Sequence, residues 1–203
     1  MPLRPEESKT KKYIYTIIIG LVFFGSIIGF TYSSLAFSFN SGASDTNTAS
    51  YNGIDFFPTQ FGIGADIDGQ VMEFFYFPED LKTTNVSLLT STITQSRSVY
   101  ITSHPNSTFA SPISGIEFEM TRLLDSRYNT FLEVGFTDAN AYDIPIINCE
   151  DATAFLPVVL FNFSNSTSGI TEDNNCIVVN FASQTTFDRF RDKIIYELLE
   201  IEP

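Results

Sequence analysis

Ser98-Val-Tyr-Ile-Thr-Ser103, His104-Pro-Asn-Ser-Thr108 and Phe109-Ala-Ser-Pro-Ile-Ser-Gly-Ile-Glu-Phe-Glu-Met120 follow one another, and their reading decides the fold. The first six residues are rich in β-branched and aromatic side chains, as in a strand. The next five hold Pro, Asn and Ser, which favour turns. Ser111, Pro112 and the Ser114-x-x-Glu117 pair then mark a helix start. Ile113, Ile116, Met120, Leu123 and Leu124 recur at helical spacing and are expected to face a core. Strand, loop and helix in succession predict an α+β or α/β domain.

The same alternation continues in both directions. Downstream, Phe131–Thr137, Pro157–Phe163 and Asn175–Phe181 read as strands. The chain closes on an amphipathic helix with a Thr185-x-x-Asp188 capping pair and an apolar stripe of Phe187, Phe190, Ile194, Leu198 and Ile201. Arg189, Arg191 and Lys193 are expected to form solvated pairs with Asp188, Asp192 and Glu197. Upstream, Asn85–Gln95 reads as a helix, and Gly53–Phe57, Phe61–Ile67 and Gln70–Phe77 as strands. Asp68-Gly69 between the last two is a two-residue hairpin signal, because such turns need positive φ. Residues 51–203 are thus expected to form a single domain with an N-terminal β-hairpin or meander, a mixed sheet and about three helices.

Farther upstream lies Tyr13–Tyr32, an unbroken apolar run preceded by Lys11 and Lys12. As a helix it would be about 30 Å long, the thickness of a bilayer's hydrocarbon core. Arg4, Lys9, Lys11 and Lys12 lie on the short side, which places residues 1–12 as a cytoplasmic basic tail and the domain outside. Ser34-Leu35-Ala36 resembles a signal-peptide cleavage site, but the run is longer than a signal h-region, so an uncleaved signal anchor is expected. Gly25, Gly29 and Ser33 form a small-residue stripe of the kind that lets two membrane helices approach. Residues 33–50 link span to domain, and Ser41–Ser50 has the small, polar, aperiodic composition of a flexible tether.

Charge divides along the same line. The first 12 residues carry a net of +2, whereas everything beyond the span holds 7 Lys/Arg against 22 Asp/Glu. So acidic a surface repels phosphate backbones, which argues against nucleic acid as a partner.

Two cysteines, Cys149 and Cys176, both fall on the outer side, where paired thiols oxidise. Their disulfide would stabilise the fold by roughly 3 to 4 kcal/mol on the chain-entropy model. No Cys-x-x-Cys occurs, and one His with two Cys cannot easily make a zinc site. Asn85, Asn106, Asn162 and Asn165 begin Asn-x-Ser/Thr sequons and are candidate glycan acceptors.

Catalytic signals are sparse. His104 is the single histidine, in a loop directly after a strand, with Ser103, Ser107 and Ser111 nearby, yet no Gly-x-Ser-x-Gly elbow accompanies it. Asp66 and Asp68 echo the start of a calcium loop without its later ligands. Glu150-Asp151 and Glu172-Asp173 flank the two cysteines, and a disulfide that brought them together would offer oxygen ligands for Ca²⁺; solvated loops are the plainer reading. No cofactor-binding signature is present, and none is expected to bind.

Several stretches carry a resemblance: Lys11-Lys12 with the Ile/Phe/Gly span, Tyr51-Asn52-Gly53, and Cys149-Glu150-Asp151-Ala152-Thr153 with Pro157-Val158-Val159. Asn175-Cys176-Ile177-Val178 and Arg191-Asp192-Lys193-Ile194-Ile195-Tyr196 extend it. In these the chain resembles uncharacterised single-span membrane proteins of small-genome archaea. The resemblance implies the outer location and the cysteine pair, and no activity. It departs at Glu200, where a helix-ending Gly is expected.

The chain is therefore expected to be a membrane-anchored, extracytoplasmic binding or assembly domain. Its expected partners are the bilayer, through residues 13–32, and a membrane or cell-surface protein, a second copy included. An anchored hydrolase or carbohydrate-active enzyme using carboxylates or His104 is the alternative.

Overall fold

A computed structural model describes residues 48–165 and 168–201. The 1–12 tail, the 13–32 span with its Gly25, Gly29 and Ser33 stripe, and most of the 33–50 tether lie outside the described residues. Among those described, no helix is long and apolar enough to cross a membrane.

The domain is α+β. It opens with an antiparallel meander of β1 (Ala49–Tyr51), β2 (Ile54–Pro58), β3 (Ile63–Ile67) and β4 (Gln70–Phe74), in that spatial order. Asp68 and Gly69 both take positive φ, 55° and 79°, as the hairpin signal requires. β1 takes in Ala49 and Ser50, which pair with Phe56 and Asp55 and so belong to the sheet rather than the tether. Asn52-Gly53 is a second positive-φ turn and closes that hairpin.

After a short 3-10 turn, Pro78–Leu81, comes α1 (Ser87–Gln95). A five-stranded mixed sheet follows, built from β5 (Ser98–Ser103), β6 (Phe131–Phe136), β7 (Val158–Phe163), β8 (Gly169–Asp173) and β9 (Cys176–Phe181). Its order is β6-β5-β7-β9-β8; β8 alone runs antiparallel, joined to β9 through the positive-φ pair Asn174-Asn175. Two further helices, α2 (Ala110–Leu123) and α3 (Gln184–Leu198), follow β5 and β9 respectively. One continuous core runs from Phe56, Met72 and Phe74 of the meander through Leu89, Ile113, Met120 and Ile194 of the helices to Ile101, Val159, Ile177 and Val179 of the mixed sheet.

Helix starts differ in detail from expectation. Ser114 does not cap α2; its hydroxyl donates back to the Ala110 carbonyl from inside the helix. α3 is capped by Ser183, whose Oγ accepts from the Thr186 N–H, rather than by Thr185. α3 ends in a Schellman motif: Ile201 N–H donates to the Tyr196 carbonyl, Glu200 N–H donates to that of Glu197, and Glu200 has φ 60°.

The disulfide Cys149–Cys176 is present, with its Cα atoms 5.2 Å apart. It ties the 137–157 connection to the first residue of β9. Thr102 Oγ1 adds a second tie to that connection by donating to the Ile147 carbonyl at 2.8 Å.

Candidate functional site

The candidate residues expected from sequence are not brought together. His104 is exposed, and its Nδ1 accepts from the Asn106 N–H at 3.1 Å; among the described residues no carboxylate pairs with it. Ser103 is buried, the Ser107 hydroxyl accepts from the Phe109 N–H, and Ser111 lies on α2 beyond them. Asp68 pairs with Arg127, and Asp151 accepts from the Asn148 N–H, capping a short turn. Glu172 and Asp173 belong to the edge strand β8, not to a loop. No group of three or more His, Cys, Asp or Glu among the described residues is arranged to hold a metal ion. The sequon asparagines Asn85, Asn106, Asn162 and Asn165 are all exposed, although the Asn162 side chain donates to that of Asn180.

In sheets with parallel strands the usual ligand crevice lies at the carboxyl ends of the strands. Here four phenylalanines cluster. Phe163 and Phe181 end β7 and β9, Phe109 precedes α2, and Phe187 lies in the first turn of α3. Phe109 stacks on Phe163 at 4.9 Å and meets Phe181 edge-on at 5.0 Å, while Phe181 meets Phe187 at 5.1 Å.

An open concavity lies elsewhere, between β4 and α2. It is a groove of about 880 Å³ lined on one side by Gln70–Phe75 and on the other by Ser111, Gly115, Ile116, Phe118 and Glu119. Phe61, Val71, Phe75 and Phe118 all line it, and they are 71, 61, 51 and 72% exposed. So large a set of exposed apolar side chains on one concavity is the usual mark of a contact surface.

Its far wall is an ion-pair network that sequence reading took for solvated charge. Arg191 of α3 is largely buried and donates from Nε and Nη2 to the two carboxylate oxygens of Glu119 on α2, at 3.1 and 2.5 Å. Its Nη1 donates to Asp192 Oδ1 and to the Glu73 carbonyl, both at 2.7 Å. Its guanidinium also sits 5.8 Å from the ring centres of Phe74 and Phe75. Asp192 is wholly buried; its Oδ2 accepts from the Phe75 and Tyr76 N–H groups at 2.6 and 2.9 Å. Tyr196, one turn on, donates to the Tyr76 carbonyl and stacks on Phe74 at 4.3 Å.

Burial pushes the Asp192 carboxyl up to about 6 against the pull of Arg191 and two backbone N–H donors. Burial alone would lower Arg191, but the facing Glu119 and Asp192 hold it above its ordinary value. The network ties the end of β4 to α3. Among the described residues no hydrogen bond joins the groove's Ser111 hydroxyl to a carboxylate; the groove offers apolar area, a strand edge and a few charges.

No protein-family model, curated protein or solved structure matches the chain.

Proposed function

We propose that this chain is a membrane-anchored extracytoplasmic binding or assembly domain that presents the β4–α2 groove to a partner protein. Residues 13–32 serve as the anchor with the N-terminus in the cytoplasm, and the Cys149–Cys176 disulfide suits an oxidising exterior. The observation that carries the reading is the gathering of Phe61, Val71, Phe75 and Phe118 on one open groove. Aromatic anchors beside a fixed ion pair are the composition of a contact surface rather than of a catalytic centre.

A photo-cross-linking amino acid placed at Phe118 of the full chain in its native membrane tests this. Phe131, exposed at the start of β6 and outside the groove, is the control. A protein cross-linked from 118 and absent from 131 is the expected result. Identical products from both positions, or none from either, would overturn the reading.

A further inference from the structure

We infer that the groove takes its partner as an added β-strand: an extended, basic segment of another protein pairs with the free edge of β4. This rests on the groove being a protein-contact surface.

β4 is the last strand of the meander, so one of its sides has no neighbouring strand. The two-residue turn makes Ile67 and Gln70 a hydrogen-bonded pair, so Met72 and Phe74, opposite Ala65 and Ile63, also turn their backbone groups toward β3. Val71, Glu73 and Phe75 therefore turn theirs outward. Two contacts agree with this phase: the Glu73 carbonyl accepts from Arg191, and the Phe75 N–H donates to Asp192. α3 thus closes the edge at one end. The Val71 N–H and carbonyl and the Glu73 N–H are left facing the groove, ready for main-chain pairing.

Side chains say what kind of strand fits. Val71 and Glu73 project from the same exposed face of β4, two residues apart. A residue opposite Val71 is best apolar and one opposite Glu73 best Lys or Arg. Side chains on the other face of the added strand would meet Phe118 across the groove. Residues 48–201 hold twenty carboxylates against seven basic side chains, and Lys82, Arg127, Arg191 and Lys193 are already in ion pairs. A basic segment complements this surface and an acidic one is repelled. The open stretch of the edge, from Val71 to the Glu73 N–H, sets the length of the main-chain pairing.

The probe is a fluorescent peptide of alternating lysine and valine, matched to β4 in length and titrated by anisotropy against the full chain in neutral-detergent micelles. Binding is expected. Val71→Pro removes an outward N–H together with the valine side chain, whereas N-methylation of alternate peptide amides blocks main-chain pairing alone. Each is expected to weaken binding at least about tenfold. The methylated peptide carries the test if Val71→Pro melts early. No binding, equal binding of the glutamate–valine counterpart, or binding that survives N-methylation would overturn the inference. So would sedimentation showing that the full chain pairs with itself through Val71. None of the first three results touches the groove reading, which falls only if the cross-link at 118 fails.

Discussion

Glu117 sits on the flank of α2 opposite the groove, one turn from Ile113 and from Met120, and is only 8% exposed. Its carboxylate has no hydrogen-bond or ion-pair partner among the described residues. Burial pushes it from the ordinary value of 4.5 up to about 7. Between these two values the folded state keeps a proton that the unfolded chain has shed, so stability falls as pH rises through the window. A shift of this size corresponds to about 3 kcal/mol lost between pH 4.5 and 7, present in full below 4.5 and gone above 7. Glu117→Gln keeps the shape and removes the ionisation. The variant should match the parent near pH 4 and exceed it by about 3 kcal/mol near pH 8, a rise in Tm of about 6 to 12 °C for a domain of this size. Asp192 is raised as well and contributes the same sign over a lower window, so the difference between variant and parent, not the parent's curve alone, reports Glu117. The assay is thermal unfolding of the full chain in detergent, followed by near-ultraviolet circular dichroism of its tyrosines. A stability difference that is the same at both pH values would refute the assignment of a buried, unpartnered carboxylate.

Glu200→Gly should stabilise the domain by about 1 kcal/mol, because Glu200 occupies the left-handed position of the Schellman motif that glycine adopts without strain; thermal melts check it. Cys149→Ser with Cys176→Ser, or reduction of the parent, should cost about 3 kcal/mol in urea unfolding, an effect that disappears if the thiols are already free. Asp192→Ala leaves the Phe75 and Tyr76 N–H groups without their acceptor while Arg191 keeps Glu119 and the Glu73 carbonyl, and should cost about 2 to 3 kcal/mol while speeding hydrogen exchange at Phe75 and Tyr76.

Much of the fold was legible because period and turn chemistry agree. Ser98–Ser103, Phe131–Phe136 and the α2 face of Ile113, Ile116, Met120 and Leu123 fall where the pattern puts them. β8 was missed because Glu172 and Asp173 read as acidic loop; the signal was the Asn174-Asn175 pair, which tolerates positive φ and makes a hairpin as Asp68-Gly69 does. The groove was not legible at all. Phe61 and Phe75 follow the strand pattern whether they face core or solvent, and only the packing of α2 against the meander decides. Arg191 and Asp192 misled for a related reason: a charge on an amphipathic helix usually faces water. α3 is instead covered by the end of β4, α1, α2 and β9, and periodicity within a helix does not reveal how many faces its neighbours cover.

A free edge strand invites unplanned pairing, and proteins cover, charge or shorten such edges. β8, at the end of the mixed sheet, carries exposed Glu172 and Asp173, which repel a second acidic copy. β4 is treated differently. Arg191 and Asp192 satisfy its Glu73 carbonyl and Phe75 N–H, so an added strand can register only over the part of the edge beside Val71, under Phe118. The helix that buries the core thus also fixes the length of edge left open. Its wall is tied together, because Glu119, Asp192, Tyr76 and Tyr196 are bonded into the same network. Four phenylalanines pack together at the carboxyl ends of the parallel strands, whereas the β4 edge lies beside exposed Phe61, Phe75 and Phe118. An edge left partly open beside a groove of exposed aromatics is the physical ground for proposing the working surface of this domain on the meander.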